Sequence, residues 1–193
     1  MTVWHWVRHG PTHEKTFVGW RDVPADLSDT AQIARLHDHL PKTALLISSD
    51  LIRAHATADA IAHPDRRRLP SEPDLRELHF GVWDGMRFSD VAARDPDLSR
   101  AYWETPGDVA PPDGESWNQA AARVNAVVDR LNNTQPEAHI IAVAHIGVIL
   151  TQVQRALGVT AHQALSHTID NLSVTQLHHD AGQWSAVHIN HCP

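Results

Sequence analysis

Three short stretches of this sequence carry side chains suited to gripping an anion. Arg8-His9-Gly10 is the first, Ser48-Ser49-Asp50 with Arg53 is the second, and His145-Ile146-Gly147 is the third. A guanidinium presents a planar fork of N–H donors that matches two phosphate oxygens at once. A neutral imidazole is a nucleophile near neutral pH, and its charge changes in the same range. Taken singly, an arginine early in a helix or an Arg-His pair after a strand is most often a surface or structural feature. What sets these three apart is placement. Each directly follows a short apolar run: Val3–Val7, Ala44–Ile47 and Ile140–Ala144.

Those runs read as buried strands, and the spacing between them predicts helices. Ile33, Leu36 and Leu40 share one face of a helix over 28–40. Leu51, Ala54, Ala58 and Ile61 do the same over 51–62. Ser116 and Gln119 form a capping box ahead of the stripe Trp117, Ala120, Val124, Val127 and Leu131. A further helix follows Gly147 and runs to Leu157. Two closing strands, Leu172–Leu177 and Trp184–Ile189, are joined by a turn at Asp180-Ala181-Gly182. Strands alternating with helices predict an α/β fold, a three-layer sandwich with a mainly parallel central sheet and helices on both faces. In such sheets ligands bind beyond the carboxyl ends of the strands, where helix N-termini add free N–H groups. That rule brings two arginines and two histidines together from distant parts of the chain.

Residues 85–115 break the alternation. Four prolines, Pro96, Pro106, Pro111 and Pro112, fall among Tyr102 and Trp103. The stretch reads as an excursion over one edge of the sheet, a partial lid within a single domain spanning 1–193.

The chain has 193 residues, 42% of them hydrophobic and 20% charged, a composition suited to one globular core. The formal charge of −7 argues against non-specific nucleic-acid binding. It also requires any anion site to be built locally. No apolar run approaches the roughly 18 residues of a membrane helix, and Val3–Val7 is too short for a secretory signal. Cys192 is the only cysteine, so no internal disulfide forms. A cytoplasmic protein is the expectation. Most of the 16 histidines read as a weakly basic, solvated surface. His178, His179, His188 and His191 near the end leave an opportunistic metal site open, although no zinc-ligand spacing is evident.

At this point the sequence resembles a known family. Val7-Arg8-His9-Gly10-Pro11-Thr12 is similar to the Arg-His-Gly signature of the histidine phosphatase superfamily, which includes the phosphoglycerate mutases. Four further segments match in order: Phe17-Val18-Gly19-Trp20 through Asp26-Leu27-Ser28, Ser49–Ala54 with Thr57-Ala58, Leu75–Gly85, and Asp113–Ser116 with Ala144–Val148. The resemblance implies a nucleophilic His9 that carries a phosphohistidine. It implies that Arg8, Arg53 and His145 hold the phosphoryl oxygens, and that Glu77 is the general acid and base. Candidate substrate contacts are Thr12, Lys15, Gly19, Trp20 and Ile146.

Two departures from the family pattern matter. Lys15 stands where many members carry asparagine, and it either reaches a phosphate as a point charge or points into solvent. The excursion has only Arg94 and Arg100 between Phe88 and Pro112, well separated, where mutases cluster basic residues for a substrate carboxylate. The expected activity is therefore hydrolysis of a small phosphomonoester, without metal or cofactor and with an oligomeric state left open. A mutase and a non-catalytic phosphoester-binding module are the alternatives. Thr12 adds a hydroxyl to the site or stabilises its turn. Trp20, Trp83, Tyr102 and Trp103 either line the pocket mouth or pack the core.

Overall fold

Six strands form a single sheet in the order β3-β2-β4-β1-β5-β6. The computed structural model describes residues 1–136 and 138–193. In chain order the strands are β1 (Thr2–Arg8), β2 (Ala44–Ser48), β3 (Arg66–Arg68), β4 (His139–Ala144), β5 (Val174–Asp180) and β6 (Gln183–His191). The helices are α1 (Thr30–His39), α2 (Ile52–Ala60), α3 (Phe88–Arg94), α4 (Pro96–Glu104), α5 (Trp117–Thr134), α6 (Ile146–Leu157) and α7 (Ala161–Leu165). Pairings among β1, β2, β3 and β4 are parallel, and β5 and β6 close one edge antiparallel.

The side-chain alternation of the strands divides the core in two. Trp4 and Trp6 of β1, Leu45 and Ile47 of β2, and Ile140, Ala142 and Ala144 of β4 face one layer, which α5 and α6 cover. Val7, Leu46, Ile141 and Val143 face the other, packed against α1 and α2. β4 has apolar residues on both faces, as a central strand between helix layers must. Trp4 and Trp6 stack with centroids 5.2 Å apart, and the Trp4 indole N–H donates to Asn132 of α5 at 2.9 Å.

The capping box expected at Ser116 forms: its hydroxyl accepts from the Gln119 N–H, and the Gln119 side chain accepts from the Ser116 N–H. The closing hairpin turns through Ala181 and Gly182, both at positive φ (47° and 82°), which gives the twist a two-residue turn needs. Four elements go beyond the sequence reading. β3 is an edge strand of three arginines with no apolar pattern, yet Arg66 is buried, donating to the carbonyls of His37, Leu40, Pro41 and Ile61. The excursion contains two helices, α3 and α4, with Pro96 at the start of the second, where proline needs no N–H partner. α7 is a short capped turn after Gly158.

The histidines are less dispersed than a solvated surface would have them. His5 of β1 is buried, with Nε2 3.1 Å from Nδ1 of His139 on β4. The rings of His39, His188 and His191 group nearby, with centroids 4.6 to 6.3 Å apart. Among the described residues, no three His, Cys, Asp or Glu side chains are arranged to hold a metal ion. None of the described helices is long and apolar enough to cross a membrane.

Candidate active site

At the carboxyl ends of β1 and β4 lies a cavity of about 360 Å³, within the usual range of small-ligand sites. Arg8, His9, Arg53 and Glu77 line its floor, with Thr12, Ile146 and Gly147 beside them. His9 follows the last residue of β1 directly, and its N–H is carried by the Ala144 carbonyl at the end of β4. The imidazole Nδ1 lies 2.7 Å from the Gly10 carbonyl. A carbonyl only accepts, so Nδ1 carries the ring proton and Nε2 keeps a free lone pair. Burial pushes the His9 pKa down to about 3, aided by Arg53 and Arg8 and opposed by the bond to Gly10. His9 is therefore a neutral imidazole at pH 7 with a nucleophilic Nε2.

Arg53, in the first turn of α2, is fully buried, and two carbonyls aim its fork. Nη2 donates to Gly19 at 2.6 Å and Nη1 to Arg21 at 2.9 Å. That loop is itself held by the Asp84 carboxylate, which accepts from the N–H groups of Gly19, Trp20 and Arg21 and from the Arg21 side chain. Arg8 donates from Nη1 to the Ile169 carbonyl at 2.6 Å. Burial lowers both arginine pKa values, and the Glu77 charge offsets this.

Glu77 is also buried. Its Oε1 accepts from the N–H of Leu78 at 2.9 Å and of Gly147 at 3.0 Å, leaving Oε2 for the cavity that it lines. Burial raises its pKa above the usual carboxylate value, although the Leu78 and Gly147 N–H groups and both arginines pull the other way. The His145 ring lies 5.1 Å from that of His9, fully buried, and neither of its nitrogens has a partner among the described residues. Burial first, and then the positive charge of Arg53, lower its pKa well below the ordinary imidazole value.

The five residues His9, Arg8, Arg53, Glu77 and His145 thus come together from four segments. Of the candidate substrate contacts, Thr12 and Ile146 line the cavity, whereas Lys15, Gly19 and Trp20 do not. Lys15 is exposed. Gly19 instead supplies a carbonyl to Arg53. Trp20 sits outside, its indole N–H on the Glu77 carbonyl and its face under Arg76. Ser48, Ser49 and Asp50 also stay out of the cavity. Ser48 accepts from Arg68, and Asp50 takes both arms of an ion pair with Arg76. Trp83 and Tyr102 are core residues, and Trp103 alone of the four aromatics lines the cavity.

Several residues that shape the site gave no signal in the sequence. Asn171 donates to the His9 carbonyl across 162 positions. Arg123 of α5 clamps the Glu77 carbonyl at 2.9 Å and is paired with Glu115. Asp84 acts one step removed, through the loop that aims Arg53. Such contacts join residues far apart in the chain, where spacing carries no information.

With this geometry in view, the comparisons with known proteins define the class. A family model of the histidine phosphatase superfamily (branch 1) matches residues 5–191. The chain belongs to that superfamily. It is similar to the adenosylcobalamin/alpha-ribazole phosphatase of Escherichia coli K12, at 28% identity over 95% of this chain and 88% of that protein. It is 33% identical to the bifunctional protein Rv2228c of Mycobacterium tuberculosis over 72% of its own length, spanning only 36% of that longer protein. Among solved structures, a mycobacterial glucosyl-3-phosphoglycerate phosphatase superposes with a TM-score of 0.86 at 27% identity, covering 98% of each chain. Bacillus stearothermophilus YhfR shares the fold at a TM-score of 0.90 and 23% identity, over 100% of this chain and 98% of that one.

Proposed function

We propose that this protein hydrolyses a small phosphomonoester through a phosphohistidine at His9. The observation that carries this reading is the buried His9, whose Nδ1 proton is committed to Gly10, leaving Nε2 unprotonated in a cavity that Arg8, Arg53 and Glu77 also line. In the first step the Nε2 lone pair attacks phosphorus and the P–O ester bond breaks. Glu77 gives its proton to the leaving oxygen. In the second step the Glu77 carboxylate takes a proton from water, the water oxygen attacks phosphorus, and the P–N bond breaks to return neutral His9 and inorganic phosphate. Arg8 and Arg53 offset the charge on the equatorial oxygens in both transition states, the preorganised electrostatic help that phosphoryl transfer needs. Neither ring nitrogen of His145 has a partner among the described residues, so the single N–H of its neutral ring is free to donate to the same oxygens.

Water is favoured over a sugar acid as acceptor. Arg8 and Arg53 are the only arginine or lysine side chains lining the cavity among the described residues, so a substrate carboxylate has no counter-ion there. The names of the Escherichia coli and mycobacterial relatives point to small phosphorylated substrates as well.

The test is trapping. Brief incubation with p-nitrophenyl phosphate labelled at phosphorus, then an alkaline quench, should leave label on the peptide that contains His9. His9→Ala should lose both label and turnover. Full turnover by that variant would remove His9 from the reaction.

A further inference from the structure

Above the charged floor, the cavity changes character. Its wall is made of Phe17, Phe80, Phe88, Trp103, Leu150 and Leu165, drawn from the loop after β1, from the turn at Gly81–Trp83, from α3 and α4 of the excursion, and from α6 and α7. Trp103 lies parallel to Phe17, and Phe88 meets Phe17 edge-on with centroids 4.4 Å apart. α7 closes on α4 where His162 meets the Trp103 carbonyl at 3.3 Å. Phe88 is the informative member. It is 59% exposed, at the first position of α3, where the helix has no need of a large apolar side chain. A phenyl ring kept in water at a cavity mouth is surface waiting for an apolar contact.

The charges at the rim point the same way. Beyond the floor, the only charged side chain lining the cavity among the described residues is Glu14. Glu14 pairs with Arg21 at 3.4 Å, but Arg21 is shared with Asp84 at 3.2 Å, so two carboxylates stand on one guanidinium. Lys15 next to it stays out of the cavity. An incoming carboxylate meets net negative charge and an apolar wall, and burying it there is costly.

We infer that the site is built for phosphomonoesters whose alcohol is uncharged and carries an apolar or aromatic body close to the ester oxygen. This rests on the phosphomonoesterase reading, with the floor taking the phosphate and the aromatic wall the alcohol.

Three esters with the same ethyl linkage to phosphate separate body from chemistry: ethyl phosphate, 2-phenylethyl phosphate and the 4-carboxylate of the latter. The phenyl ester should exceed ethyl phosphate in kcat/KM by at least about 10-fold, from burial of one ring. The carboxylate should fall at least about 10-fold below its parent, a charge stranded on an apolar wall. Phe88→Ala, which opens no core, should shrink the phenyl-to-ethyl ratio about threefold or more, and Glu14→Gln should recover part of the carboxylate penalty. Equal kcat/KM for all three esters overturns this inference and leaves the phosphatase reading standing. Labelling of His9 by p-nitrophenyl phosphate without turnover of any of the three overturns it also. Loss of both label and turnover overturns the phosphatase reading itself, and this inference with it.

Discussion

The division of labour among single residues follows from how each is buried. In the proposed reaction His9, Arg8 and Arg53 cannot donate the proton that an alkoxide needs on leaving: His9 would be the attacking group, and a guanidinium is too weak an acid. Among the described residues, Glu77 alone lines the cavity with a raised pKa and one oxygen left over from its backbone bonds. General acid catalysis is worth about 10²–10⁴-fold. Glu77→Gln should cost that much for an alkyl phosphate in single-turnover measurement of the phosphorylation step. It should cost far less for p-nitrophenyl phosphate, whose leaving group departs without a proton. Equal losses for both would assign the proton elsewhere.

Between residue and fold stand the elements that aim these groups, and two positions test them. Gly147, the second residue of α6, gives its N–H to Glu77. A Cβ there would overlap Glu77 Oε1 and lie 2.6 Å from Leu78 Cγ, so Gly147→Ala must push the carboxyl away. We expect that variant to reproduce the alkyl-selective loss of Glu77→Gln, with an overpacking cost of about 1–3 kcal/mol in stability. A uniform loss on both ester types would mean that the displacement of Glu77 is not what matters. Asp84 supports the other side, holding three consecutive N–H groups so that Gly19 and Arg21 face Arg53. Asp84→Asn replaces acceptor with donor and should loosen that loop. Inhibition by inorganic phosphate should weaken about 10-fold or more as Arg53 loses its aim, and unchanged phosphate affinity would count against the role. The strand ends that carry Arg8, His9 and His145 were legible because each polar group follows an apolar run. Asp84, Arg123 and Asn171 were not, because what they do depends on backbone brought close only by folding.

For the whole molecule, the histidines set an acid limit. Burial holds His5 at about 3, with His139, His39, His188 and His178 adding to it. His9 is also at about 3, His145 is well below its ordinary value, and His39 and His188 are lowered. In the unfolded chain each titrates near 6.5. Between about 6.5 and about 3 the unfolded state therefore binds more protons, and stability is full above that window and falls as pH drops through it. Glu77, with a raised pKa, opposes this. Linkage gives roughly 2 kcal/mol each for His5 and His9 at about pH 5. Urea midpoints should drop markedly from about pH 7.5 to about pH 5, and His5→Leu should narrow the drop. A midpoint independent of pH would contradict the burial of these rings.

At this scale the sequence by itself determined the α/β layering and the strand ends where Arg8, His9 and His145 gather. Periodicity reports which face of an element is apolar, and a strand's last residue reports where its chemistry points. Only the tertiary structure decided that Arg66 is buried within an edge strand, that His5 and His39 meet histidines from other strands, and that Lys15 and Trp20 stand outside the cavity. It alone decided that Phe88 and Trp103 form a wall over His9. Those outcomes depend on where the excursion and the closing hairpin fold back across the sheet, and contacts between such distant segments leave no local pattern to read.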